Sequence, residues 1–309
     1  MTVLSTGGTI AMAGARATPA LGPQELLAAV PALAEVGDLQ ARAVAGLPGA
    51  HLSSADALAI ARAALEETAS GRGVVITHGT DTLEETAVLC DVLHGRPEPI
   101  VLTGAIRPSS AAGADGPANL LDAVAVAAAP QAAGLGALVV FAGEVHAART
   151  ARKVSSISPA AFGSPASGPL GGAAEGRVWI AARPVRPAEP LPLPAALAGR
   201  VPIVPTHLGD DGTALRAALR VGAGHVASPV LAALREAAAA VPVAITLRPE
   251  RGALLHETYG FEGAERDLRS SGALPAAALS PQAARMVLLA GVGAAAGREA
   301  VAAALDVQI

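Results

Sequence analysis

Val74-Val75-Ile76-Thr77-His78-Gly79-Thr80-Asp81-Thr82-Leu83-Glu84-Glu85-Thr86 is the stretch from which the fold can be read. Its β-branched start reads as a strand, Gly79 as a corner, and Thr82 with Glu85 three residues later as a capping box that opens a helix. Thr80 and Asp81 then sit at a strand-to-helix corner. In an open α/β sheet, ligands bind outside the carboxyl ends of the strands, beside helix N-termini. A hydroxyl next to a carboxylate in that place is a candidate for chemistry.

A second hydroxyl-bearing corner lies at the N-terminus, where Thr2-Val3-Leu4-Ser5 runs into Thr6-Gly7-Gly8-Thr9-Ile10. A Gly pair after a strand can mark no more than a turn. It also lets a backbone approach a ligand closely, with Thr9 exposed beyond it.

The chain has 309 residues, suited to two α/β domains with ample core. It is 52% hydrophobic, 16% charged and only 2% aromatic, with a mean hydropathy of +0.47. Alanine supplies much of the apolar content, and charged residues, Pro and Gly interrupt every apolar run before the roughly 20 residues a membrane span needs. A net charge of −4, no basic stripe and few aromatics argue against nucleic acid. The first residues lack the basic and apolar regions of a secretory signal, and the lone Cys90 falls in an apolar helical run, so a cytoplasmic protein without disulfides is expected.

In order, the first half alternates. Helix Pro23–Glu35, strand Leu39–Ala45, helix Ser54–Glu67, strand Val74–Thr77 and a helix to about His94 are followed by strand Pro99–Thr103, helix Gly116–Ala129 and strand Gly136–Gly143. This pattern predicts a doubly wound, mostly parallel sheet with helices on both faces. Pro184, Pro187, Pro190, Pro192 and Pro194 then break the texture, placing a linker at 182–200 between a large catalytic domain, 1–181, and a smaller α/β domain, 201–309. In the latter, strand Val201–Val204, helix Ser228–Ala240, strand Val241–Leu247 and helix Ser280–Val292 are expected.

A threonine hydroxyl is a weak nucleophile and needs a base, directly or through a second hydroxyl. The seven histidines are scattered, with no His-x-x-x-His pair, and there is no Cys-x-x-Cys, no Gly-x-Ser-x-Gly and no P-loop lysine, so no metal or nucleotide cofactor is expected. Lys153 is the only lysine of the chain, whose other cations are arginines. A lysine can give up its proton when desolvated and an arginine cannot, so the position is a candidate base, though composition alone could leave one lysine by accident.

The two corner segments, Leu4-Ser5-Thr6-Gly7-Gly8-Thr9-Ile10-Ala11 and Ile76 to Ala87, resemble the two signatures of the bacterial-type L-asparaginase/glutaminase family. Gly104-Ala105-Ile106-Arg107-Pro108, Ala114 to Leu120, and Gly136 to Phe141 leading to Lys153 and Gly168-Pro169-Leu170-Gly171 are similar to it as well. The resemblance implies side-chain amide hydrolysis of L-asparagine to L-aspartate and ammonia without metal or organic cofactor. Thr9 would form the acyl-enzyme, and Thr80 would be a second threonine assisted by Lys153. Asp81 would bind the substrate's α-ammonium, the Gly8 and Thr80 region would offer donors to the oxyanion, and Asp115 would be a supporting carboxylate. It further implies a homodimer or homotetramer, in which Glu257–Glu265 of a neighbour, Glu262 foremost, completes the site.

Three places depart from the family pattern. Residues 11–22 hold no tyrosine to serve in a lid, Tyr259 being the only one in the chain. The segment that would hold the substrate's α-carboxylate reads Pro48-Gly49-Ala50-His51-Leu52-Ser53-Ser54, where Ser53 or Ser54 either binds substrate or caps the helix. His225 stands where an asparagine is often found. An altered or inactive homologue that acts on, or only binds, another small amide therefore stays open as the alternative.

Overall fold

The computed structural model describes residues 1–13, 18–19, 21–197, 199, 201–205, 211–213, 228–246, 265–276 and 279–306. Two compact units divide between Pro184 and Val185. The first is built on an eight-stranded sheet with β1 (Thr2–Ser5), β4 (Gln40–Ala43), β5 (Val74–Thr77), β6 (Ile100–Thr103), β7 (Ala137–Phe141), β8 (Glu144–Ala147), β11 (Gly171–Ala174) and β12 (Arg177–Ile180). Its spatial order is β12-β11-β8-β7-β6-β5-β1-β4. Strands β4, β1, β5, β6 and β7 run parallel, whereas β8, β11 and β12 add an antiparallel edge. Smaller ribbons pair β2 (Met12–Ala13) with β3 (Thr18–Pro19), and β9 (Arg152–Lys153) with β10 (Phe162–Gly163).

Strands β1, β5, β6 and β7 are short and apolar because both faces are covered, whereas the edge strand β4 is largely exposed. Residues of β1, β5 and β6 are all buried. Alternate side chains Val3, Val75, Val101, Leu138 and Val140 meet Leu26, Leu120, Ala123 and Val124 of α1 (Pro23–Ala28) and α4 (Gly116–Ala128) in one core cluster. Helices α2 (Ser54–Ala69) and α3 (Leu83–Leu93) pack against each other and on the sheet. A buried ion pair ties α3 to the sheet edge: Arg149 Nε lies 2.7 Å from Asp91, whose other oxygen accepts the Ala137 N–H.

Register brings Ser5, Thr77 and Thr103 level at the carboxyl ends of their strands. From β1 the chain crosses to β4 on one side and returns to β5 on the other, so the topology switches direction between β1 and β5. That crevice is the general ligand-binding position of open α/β sheets.

Several expected elements come out differently. The helix over Pro23–Glu35 is two pieces, α1 and a 3-10 segment Pro31–Glu35, because Pro31 has no N–H to continue the ladder. Thr82 precedes α3 but makes no capping box; its hydroxyl donates to the Gly49 carbonyl at 2.9 Å. Residues 201–204 are not a strand, since Pro202 and nearby Pro205 remove the donors that one would use.

The second unit, as far as it is described, holds helices Ser228–Ala240, Glu265–Ser270, Pro281–Gly293 and Arg298–Leu305. Ala244–Ile245 pairs in parallel with Leu274–Pro275, a shorter strand than the one expected over Val241–Leu247. Val230, Leu231, Leu234, Val243, Ile245 and Leu268 form its core.

Candidate active site

Two corners meet in the β1/β5 crevice. The Thr6 N–H and hydroxyl both donate to the Thr77 carbonyl, at 3.1 and 3.0 Å. Gly8 then turns with φ 81°, and a Cβ built there would lie 2.5 Å from the Gly79 Cα. Gly79 in turn approaches Gly49 so closely that its own Cβ would sit 2.6 Å from the Gly49 nitrogen. Only glycines allow three backbones to cross at these distances. The crossing sets Thr9 and Thr80, the residues immediately after Gly8 and Gly79, at the same crevice. Thr9 opens a 3-10 turn, Thr9–Ala11, and is half-exposed, whereas Thr80 is buried.

His78 shapes the second corner. Its ring is fully buried, with Nδ1 2.8 Å from the Gly79 carbonyl and Nε2 3.0 Å from the Thr86 hydroxyl. A carbonyl can only accept, so Nδ1 carries the proton and Nε2 receives the Thr86 hydroxyl. Burial holds the imidazole neutral by pushing its pKa down to about 4. With the Gly79 carbonyl drawn to His78, the trans peptide turns the Thr80 N–H to the opposite side.

Gly104, at the end of β6, backs the corner: a Cβ there would lie 2.5 Å from the His78 carbonyl oxygen. The loop that follows is held by Asp115, whose carboxylate accepts the N–H groups of Ile106 and Arg107 at 2.9 and 2.8 Å. Asn119 donates to Asp115 and to the Gly104 carbonyl, and accepts the Ala142 N–H. Asp115 is thus engaged in shaping a loop.

Lys153 comes from β9, far along the chain. Its Nζ lies 2.9 Å from the Thr80 hydroxyl oxygen and 2.9 Å from Asp81 Oδ1. The lysine side chain is 23% exposed and that of Asp81 61%, so one end of the group is covered and the other open. An amine within reach of both a hydroxyl and a carboxylate can take the hydroxyl's proton while the carboxylate holds the resulting ammonium.

The segment from Pro48 to Ser54 reaches this corner through Gly49. Ser53 is the N-cap of α2 in a full capping box: it accepts the Asp56 N–H at 3.2 Å, its hydroxyl donates to the Asp56 carboxylate at 2.6 Å, and its own N–H donates to that carboxylate at 2.8 Å. Ser54 is the first helical residue and is exposed. His225 and Glu262, like Tyr259, lie outside the described residues. His78, Glu84, Gly104 and Asn119 are parts of the corner that sequence reasoning passed over. All four lie inside stretches that resemble the family, His78 and Glu84 in the second signature, Gly104 and Asn119 in the two segments that follow it, but nothing in those stretches assigned them a role.

Among the described residues no cluster of His, Cys, Asp and Glu could hold a metal ion, and no helix is long and apolar enough to cross a membrane. Cys90 is buried, and its thiol is pushed up to about 12, chiefly by burial.

Comparison with known proteins bears on the whole chain. The family described as Asparaginase, N-terminal, matches residues 1–186, and the Glutaminase/Asparaginase C-terminal domain matches residues 200–305. A probable L-asparaginase of Deinococcus radiodurans is 36% identical over 97% of this chain and 94% of its own length. L-asparaginase 2 of Escherichia coli is 36% identical over 60% of this chain and 55% of its own length. The crystal structure of a probable cytoplasmic L-asparaginase from Campylobacter jejuni superposes with a TM-score of 0.85 at 28% identity, over 98% of both chains. The chain therefore belongs to the asparaginase family, as a hydrolase of the asparaginase type carrying both of the family's domains.

Proposed function

We propose that this amidohydrolase cleaves the side-chain amide of L-asparagine through a threonine acyl-enzyme. The observation that carries the reading is the placement of Lys153 Nζ 2.9 Å from both the Thr80 hydroxyl and the Asp81 carboxylate, at the crevice where Thr9 opens its turn.

In this reading the Thr9 hydroxyl oxygen attacks the amide carbon, its proton passing to the threonine–lysine group. The C–N bond breaks, ammonia leaves with the proton it needs, and an ester to Thr9 remains. Water then attacks the ester, releasing L-aspartate and restoring the threonine. Thr80, with its hydroxyl on Lys153, relays the proton, and its N–H, turned away from His78, is the proposed oxyanion donor together with the Gly8 region. The exposed carboxylate of Asp81 holds the α-ammonium. Ser53, Ser54 and His225 are the proposed neighbours of the α-carboxylate, with Glu262 supplied by a second copy in a homodimer or homotetramer. A cytoplasmic location belongs to the same proposal, supported by the description of the Campylobacter jejuni structure.

Ammonia release by purified protein with L-Asn, D-Asn and L-Gln, beside Thr9→Ala, tests the reading. Release from L-Asn that disappears in Thr9→Ala is expected. Silence of a folded protein on all three would point to another amide or to a protein that only binds one, and release that persists in Thr9→Ala would remove the acyl-enzyme. Light scattering of the same sample reports the oligomeric state.

A further inference from the structure

Lys153 is carried by a ribbon of two residues a side, Arg152–Lys153 against Phe162–Gly163. It stands opposite Phe162, and the next N–H, of Val154, donates to the Ala161 carbonyl at 2.7 Å. In an antiparallel ladder that bond makes Lys153–Phe162 the non-hydrogen-bonded pair, so the Lys153 N–H points out of the ribbon. It donates to the Glu84 carboxylate at 2.7 Å. Glu84 lies in the first turn of α3, the helix that begins just after Thr80 and Asp81.

The connection is closed at both ends. Lys153 returns to the corner by its amine, and the helix leaving that corner takes hold of the lysine's main chain. A lysine side chain has large rotamer freedom, so where its amine stands depends on where its backbone is pinned. A ribbon this short offers little pairing of its own with which to pin it.

We propose that Glu84 is a positioning residue: by holding the main-chain N–H of Lys153 it sets Nζ on the Thr80 hydroxyl. The inference rests on the reading of Lys153 as the group that serves Thr80. The charges facing Glu84 are Arg152, Lys153 and Glu85. Burial, the largest influence, lifts its carboxyl above the usual range against the pull of the Lys153 N–H and of the two cations. A half-buried carboxylate of this kind is retained at a cost that a solvent-facing helix position would not carry.

Because Lys153 is the only lysine, protein grown on lysine labelled with 13C at Cε has a single lysine side-chain resonance, which reports the surroundings of Nζ whether or not any amide is turned over. Glu84→Ala is expected to shift that resonance and to lower kcat about 10- to 100-fold with KM within a factor of three, the signature of a displaced catalytic group. Glu84→Gln keeps an oxygen to accept the N–H and is expected to restore both. Glu84→Asp, which withdraws the acceptor by one methylene, should fall between and serves if the alanine variant does not fold. A wild-type resonance and wild-type kcat in Glu84→Ala would overturn the proposal, as would Glu84→Gln behaving like Glu84→Ala, which would mean that charge and not the hydrogen bond matters. Lys153→Met is run beside them: if it turns over L-Asn at the wild-type rate, the role of the lysine itself is wrong, and the resonance still decides whether Glu84 positions it.

Discussion

Lys153 Nζ donates to the Thr80 hydroxyl across 2.9 Å, although 73 residues separate them in the chain. Strands β6 to β8 and the helices α3 and α4 lie between, and the meeting is made at the carboxyl end of β5. A lysine alone in its chain would not be held against a buried hydroxyl for solubility, so the contact is where function is first tested.

Thr9→Ala and Lys153→Met are each expected to lower the rate of ammonia release by at least about 100-fold, since the first removes the proposed nucleophile and the second a positioned proton-transfer group, which contributes about 10²–10⁴-fold. Circular dichroism and thermal melts should match wild type. Retention of the wild-type rate by either variant would remove that residue from the machinery.

Gly8→Ala should be damaging out of proportion to its size. The position has φ 81°, and the added carbon would sit 2.5 Å from the Gly79 Cα, backbone that cannot swing aside as a side chain can. Left-handed strain and overpacking each cost on the order of 1–3 kcal/mol. A lower denaturant midpoint with activity largely lost is expected. The same change at Gly71, where φ is 78° but nothing lies within 4 Å, should leave activity untouched.

Asp91 and Arg149 form a buried ion pair with 4% and 5% of their side chains exposed. Removing one partner strands a charge, so Arg149→Met alone is expected to cost about 3–5 kcal/mol by urea unfolding. The double variant Asp91→Leu with Arg149→Met should recover part of that loss. Equal losses in single and double variants would show that the Asp91 bond to the Ala137 N–H matters more than the pair.

Acid should weaken the fold through two buried histidines. Burial lowers both His78 and His146 from 6.5 to about 4, so between those values the unfolded chain binds protons that the folded chain refuses. Stability therefore falls as the pH drops from about 6.5 towards 4 and levels off below, by on the order of 3 kcal/mol for each histidine. Glu84, raised by burial, opposes the trend weakly, because its folded form takes up a proton first. Urea midpoints at pH 7 and pH 4.5 measure the drop, and His146→Gln should roughly halve it.

Cys90, buried and with its thiol pushed up to about 12, should be silent to a thiol reagent such as DTNB in the native protein and react once per chain in denaturant. Rapid native reaction would mean that α3 opens readily.

The order of strands and helices from Val3 to Phe141 was legible because β1, β5, β6 and β7 are buried on both faces as short apolar runs and helices such as α2 and α4 bury one face, and burial of that kind is written in the local pattern. The antiparallel edge was not: β11 is Gly171-Gly172-Ala173-Ala174, which carries little strand propensity and pairs because β8 and β12 flank it. Capping shows the same division. Ser53 and Asp56, three apart, close their box locally, whereas Thr82 has an equally good partner in sequence and gives its hydroxyl to Gly49, a neighbour that only the fold supplies.

The sequence by itself determined the two glycine corners, the hydroxyls that follow them and a single lysine, since these are matters of residue type and short spacing. Only the tertiary structure decided that Gly8 touches Gly79, that Lys153 reaches Thr80 and Asp81, and that Glu84 grips the lysine's main chain. The physical reason is reach: a hydrogen bond acts over about 3 Å. Residues tens of positions apart come within that distance only when strand order, register and close backbone crossings bring them there.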